Sequence, residues 1–198
     1  MSSRTAVLRD LRKNLPESAP LPTLEGEDWV RYEDPVEQFR AVLESVGGRF
    51  VRVGSTDEAD AEVRALPEWE DGSTRVSLVS GVGETTFDYT GVEDPHDLED
   101  VTFAVLPANF MVAENGAVWV TPEDPKERVL NFLSQHVAYV VSGDDPIVHT
   151  MHAAYERADS RAHPFSLFAS GPSKTADIEQ SLVIGAHGAR SLAVVLVG

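Results

Sequence analysis

The sequence predicts an α/β three-layer sandwich with a mostly parallel sheet, and three observations predict it. Runs such as "HVAYVV" and "SLAVVLV" are continuously apolar, as strands covered on both faces must be. Segments with helical spacing separate them. At 198 residues, 42% hydrophobic and 25% charged, the chain has the size and composition of one domain able to build a core. Residues 1–24 read as an N-terminal helix and Pro-rich linker, and residues 25–198 as the α/β domain.

In chain order, Val7, Leu8, Leu11 and Leu15 mark one face of a short helix over residues 1–15, which Pro16, Pro20 and Pro22 end. In "DPVEQFRAVLESVGGRF", Val36, Phe39, Val42, Leu43 and Val46 fall on one stripe, and Gly47-Gly48 stop the helix. "RFVRV" reads as a strand and "STDEADAEVRAL" as a helix capped by Ser55 or Thr56. "RVSLVS", from Arg75 to Ser80, is the next strand. "VTFAVL" and "FMVAENGAVWV" follow as β-structure, with Asn115-Gly116 as a hairpin signal supplying some antiparallel pairing. "TPEDPKERVLNFLSQ" predicts a helix capped by Thr121, with Val129, Leu130 and Leu133 buried. The remaining order is strand "HVAYVV", helix "DDPIVHTMHAAYERA", strand "FSLFAS", helix "TADIEQSLVI" and strand "SLAVVLV". No internal repeat is found.

Composition excludes several functions. The chain has no cysteine, so it offers no disulfide, no thiolate-ligated iron–sulfur cluster and no cysteine nucleophile. With 33 acids against 16 bases the net charge is −17, which argues against a nucleic-acid partner. Fourteen of the acids lie between Gly54 and Asp100, opposed there only by Arg64 and Arg75. That segment reads as a solvated acidic surface or, alternatively, a docking face for a basic protein. No apolar run approaches the ~18 residues of a membrane span, and the N-terminus lacks a secretory h-region. The expected location is cytoplasmic.

In open parallel sheets, ligands bind beyond the carboxyl ends of the strands, and four loops qualify: "SGVGETT", "AENGA", "SGPSKTADIE" and "GAHGA". In the third, Gly171 permits a sharp turn and Pro172 presets φ for a helix entry. Ser173 and Thr175 offer hydroxyls to free helix amides. Asp177 and Glu179 complement the helix's positive end, worth ~0.3–1 kcal/mol each when exposed. The same turn reads either as a capped strand-to-helix junction or as a site where free amides and Lys174 receive a hydroxyl-bearing or anionic ligand. Glu114 beside the Asn115-Gly116 turn is a candidate nucleophile or general base, or a solvent-facing hairpin acid. His187, between glycines with Gly188, is a ligand contact or a turn residue. "GVGE" is only a fragment of a phosphate cradle. His149, His152 and Glu156 have metal-face spacing on a helix, but no second ligand pair accompanies them, so no metal site is assigned.

The run from Ser170 to Glu179, followed by Gly185, His187, Gly188 and Arg190, resembles the close typical of the LutC/YkgG family of lactate-utilisation proteins, the LUD-domain family. Ala113, Glu114 and Gly116 match the family's Ala-Glu-Thr-Gly segment, with Asn115 in place of Thr. The likeness covers nearly the whole chain and is looser between Gly54 and Val101. It implies a fold related to the NagB/RpiA/CoA-transferase group and a role with iron–sulfur partner proteins in oxidising L-lactate to pyruvate. The clusters are then expected on the partners, with no cofactor held by this chain. "ENG" also resembles the CoA-transferase segment whose Glu forms a thioester, although a Gly-rich CoA loop is not evident.

The first expectation is therefore an accessory or substrate-handling subunit of a lactate-oxidising system, taking a small hydroxy acid or other small anionic ligand. Gly171, Ser173, Lys174, Thr175, Asp177 and Glu179 would line its pocket, with Glu114, Asn115, Gly116, His187 and Gly188 nearby. The alternatives are a stand-alone enzyme using Glu114 as nucleophile or base, and a scaffold docking through residues 54–100.

Overall fold

The computed structural model describes residues 3–15, 19–20, 30–71, 73–175 and 183–198. In chain order the elements are α1 (Ser3–Lys13), α2 (Pro35–Ser45), β1 (Arg49–Val53), α3 (Thr56–Arg64), α4 (Pro67–Asp71) and β2 (Arg75–Ser77). A 3-10 helix (Pro95–Asp100) leads to β3 (Phe103–Ala108), β4 (Phe110–Val112), β5 (Ala117–Val120), α5 (Pro125–Leu133) and β6 (His136–Ser142). Then come β7 (Ile147–Val148), α6 (Met151–Arg157), β8 (Leu167–Ala169), β9 (Lys174–Thr175), β10 (Val183–Ile184) and β11 (Ser191–Val197).

The main sheet is five-stranded and wholly parallel, in the order β1-β11-β6-β3-β2. Its central strands are apolar on both sides because both faces are covered. Val137, Tyr139, Leu192 and Val194 point to one face, where they pack with Phe39 and Leu43 of α2 and Leu130 of α5. Ala138, Val140, Ala193 and Val195 point to the other, against Ala59 and Val63 of α3 and Trp69 of α4. The predicted layering of helices on a parallel sheet is thus the observed one.

The hairpin does not join that sheet. β4 and β5 pair antiparallel and build a second, four-stranded sheet in the order β7-β4-β5-β8. Met111 and Val118 face the main core, while Phe110, Val112 and Trp119 face outward under Ala154 of α6. Strand residues buried on both faces carry no alternation, so sequence pattern could not assign them to one sheet or the other.

Helix ends depart from the sequence reading in instructive ways. Asp34 caps α2, accepting the Val36 and Glu37 amides. Ser55 caps α3, as expected. Asp124, not Thr121, caps α5, because it closes a capping box with Glu127 and Pro125 occupies the first helical position. Leu133, expected inside, is exposed at the end of α5. The segment expected as one helix from Asp144 to Ala158 begins instead with β7, and α6 starts after Thr150. His149 therefore precedes the helix, and its Nδ1 accepts the Tyr32 amide at 3.0 Å. This removes the proposed His149–His152 helix face, and no cluster of three or more His, Asp or Glu suited to a metal occurs among the described residues. The helix expected over "TADIEQSLVI" is also overturned at its ends, since Thr175 pairs with Val183 and Lys174 with Ile184 as antiparallel strands. Its middle, including Asp177 and Glu179, lies outside the described residues.

The C-terminal end of α2 fixes two turns. Gly47 and Gly48 close α2 by donating to Glu44 O and Leu43 O, a Schellman arrangement. Gly116 has φ +64, and a Cβ there would lie 2.8 Å from Leu43 N. Gly171 has φ +67, and a Cβ there would lie 3.0 Å from Val46 O. Gly116→Ala combines an unfavourable φ with a backbone clash and should destabilise the fold by ~1–3 kcal/mol, read as a lower urea midpoint at an unchanged slope.

Candidate functional site

The motif glycines gather around a cavity of about 210 Å3 between α5, β8 and the main sheet. Its base is Tyr139 of β6 and Leu192 of β11. One wall is Asn131 and Phe132 of α5, and the rim is formed by Gly171, Ser173, His187 and Gly188. Local physics assembles the rim. The Ser173 amide donates to Ala189 O at 2.8 Å, and the Gly185 amide donates to Ser173 O at 2.8 Å, so the 170–173 and 185–189 turns are laced together. Gly188 permits their close approach, because a Cβ there would lie 3.1 Å from Ser173 Cβ. Ser170 Oγ donates to Asn115 O at 2.7 Å, tying the hairpin turn to the same rim. The backbone hydrogen bonds of these turns engage the Ser173, Gly185 and Arg190 amides; among the described residues they do not engage those of Gly171, His187 or Gly188.

Two side chains that the sequence reading missed dominate the interior. The Tyr139 hydroxyl donates to Asn131 Oδ1 at 2.8 Å, and Asn131 Nδ2 donates to Glu127 O at 2.8 Å. Burial pushes the Tyr139 phenol well above its ordinary pKa, so it stays a neutral donor. A tyrosine inside an otherwise aliphatic strand was the available signal, since a buried hydroxyl needs a partner.

Among the described residues, the other predicted ones fall around this cavity rather than in it. Lys174 and Thr175 lie on β9, paired with Ile184 and Val183, so Ser173 leads into a strand rather than into a helix. Asn115 accepts the Ala117 amide through Oδ1 in the hairpin turn, and Gly116 is packed on Leu43. The turn spans Ala113 to Gly116, because Val112 pairs with Ala117. Glu114 Oε2 accepts the Met151 amide at 2.7 Å, holding the start of α6. Glu114 does not line the cavity. The cavity lies against the amino-terminal halves of β6 and β11, not beyond the carboxyl ends where the loop rule placed it. The turns that shape it precede β11, and α5 and β8 close over that end of the strands. A smaller cavity of about 120 Å3, bounded by Ala108, Asn109, Thr121 and Asn131, does lie at the carboxyl end of β3.

The profile of the LUD domain matches residues 95–197, more than half the chain, including every rim residue. The chain belongs to the LUD-domain family. Among curated proteins, it is 24% identical over 187 residues to "Lactate utilization protein C" of Bacillus pumilus (strain SAFR-032), covering 79% of this chain and 75% of that protein. Among solved structures, it resembles a DUF162 family protein from Deinococcus radiodurans, with a TM-score of 0.58, 18% identity, and coverage of 83% of this chain and 96% of that one. That likeness supports the α/β fold of the LUD domain. Ser170, Gly171, Ser173 and His187 to Ala189, all inside the matched span, line the cavity.

Chemically, the LUD-domain cavity offers hydrogen-bonding groups on mostly apolar walls: the Ser173 hydroxyl, the Asn131 amide, the Tyr139 hydroxyl and the His187 imidazole at the rim. Tyr139→Phe removes the buried donor to Asn131 and should cost ~1–2 kcal/mol in denaturant stability without changing the fold, checked by urea melts with circular dichroism.

Proposed function

We propose that this chain is the substrate-handling or accessory subunit of a lactate-utilisation system, binding lactate or a similar short hydroxy acid in the cavity beneath the Gly171 turn. The reading rests on one observation above all: the 170–173 and 187–189 turns converge on a cavity of a size suited to a few heavy atoms. Pockets for drug-sized ligands run to ~300–1,000 Å3, against about 210 Å3 here. The name of the Bacillus pumilus relative supports the pathway. Short hydrogen-bond donors on apolar walls suit a molecule with one carboxylate, one hydroxyl and a methyl group.

In this reading the electrons leave lactate elsewhere. Iron–sulfur centres held by thiolates would belong to partner proteins, because the chain contains no cysteine. Glu114 then acts as a positioning residue. Its carboxylate holds α6 against the hairpin turn, and the turn in turn holds Ser170.

Thermal-shift and calorimetric titration of the isolated chain with L-lactate, D-lactate and pyruvate tests the ligand. Binding to the folded state adds stability that reaches ~2.7 kcal/mol at one hundred times Kd, so a saturable rise in Tm is expected. Ser173→Ala, which removes a rim hydroxyl without adding bulk, should weaken that binding severalfold while the ligand-free Tm stays within a few degrees. No shift with any three-carbon acid would sink the ligand assignment. Normal growth on L-lactate after deletion of the gene would sink the pathway.

A further inference from the structure

Two apolar patches face solvent. α1 buries none of its residues, and Val7, Leu8, Leu11 and the following Leu15 are all exposed, Leu11 by 59%. A helix of 11 residues is marginal in water without a surface to pack on. The second patch is a groove of about 180 Å3 between the Pro95–Asp100 helix and α5, walled by Pro95, Val129, Phe132 and Leu133. Phe132 is 47% and Leu133 37% exposed. Six of the ten large exposed apolar side chains among the described residues belong to α1 with Leu15 or to this groove.

Their charges are opposite. α1 carries Arg4, Arg9, Arg12 and Lys13 against Asp10 alone, in a chain whose net charge is −17. The groove's 3-10 side carries Glu93, Asp94, Asp97, Glu99 and Asp100, all exposed. The field there is negative: the His96 pKa is raised first by its hydrogen bond to Asp94, with Asp97 and Glu99 adding to it.

We propose that α1 docks in its own chain into the groove between the Pro95–Asp100 helix and α5, with Leu8 and Leu11 against Phe132 and Leu133 and its arginines against the acids of residues 93–100. Own-chain docking wins over exchange with a second copy on concentration. Residues 14–34 cannot span more than ~75 Å, which confines α1 to an effective concentration on the order of 1 mM. Two bodies of charge −17 also repel. Phe132 walls both the groove and the candidate ligand cavity, so the docked helix borders the cavity's α5 wall.

The absence of cysteine makes the test clean. In the full chain, Leu11→Cys with Leu133→Cys should form an intramolecular disulfide under mild oxidation. Its rate should be at least tenfold above that of Leu11→Cys with Glu62→Cys, whose α3 position lies on the opposite face of the main sheet. Adding Asp97→Lys and Glu99→Lys should slow the first reaction severalfold at low salt. Disulfide-linked dimers as the main product would show arm exchange and overturn the proposal, as would equal rates for the two pairs or a rate indifferent to the charge reversal. In the unmodified chain, hydrogen exchange should show the α1 amides protected at least tenfold relative to a peptide of residues 1–15. Equal exchange would overturn docking independently of any cysteine variant.

Discussion

The last turn of α2 is the constraint on which the architecture depends. It meets the rest of the chain through backbone atoms as well as through side chains. Leu43 N approaches the hairpin turn where Gly116 has no side chain, Val46 O approaches the turn at Gly171, and Gly47 meets Pro172. These contacts bring the second sheet and the turn after β8 to one end of one helix. That helix is itself fixed by Phe39 and Leu43, both fully buried on the main sheet. Because backbone contacts leave no rotamer to relax, the positions of Asn115, Ser170 and Gly171 follow closely from that of α2.

The cavity inherits this geometry. Its rim is a lacing of two glycine turns, and its floor is a tyrosine whose hydroxyl is held by an asparagine that is itself held by a helix carbonyl. Such a chain of hydrogen bonds fixes the direction in which each group points, so the proposed ligand would meet a preorganised surface with little entropy left to lose. The same logic places Glu114 outside the cavity. Its carboxylate is already engaged by the first amide of α6, and Glu114 does not line the cavity.

The charge distribution adds a second level of organisation. Acids crowd residues 54–100 while cations gather on α1. Within a Debye length of ~8 Å at physiological salt, the basic helix and the acidic 3-10 segment attract, and the bulk of the surface repels other copies.

Much of this was legible in the sequence. Continuous apolar runs separated by helical spacing determined the parallel sheet and its covering helices, because burial on both faces leaves no polar alternation. Ser55, Gly47 and Asn115-Gly116 marked ends and turns, since capping and positive φ are local chemistry that neighbours in sequence decide. Gly171 and Gly185 marked turns for the same reason, through their positive φ. Only the tertiary structure decided which sheet the hairpin joins, that Lys174 and Thr175 pair with Ile184 and Val183 instead of opening a helix, and that Tyr139 meets Asn131. It also decided that the cavity opens at the amino ends of β6 and β11. Those outcomes turn on which surfaces meet across tens of residues, and long-range packing energies are written in no single stretch of the chain.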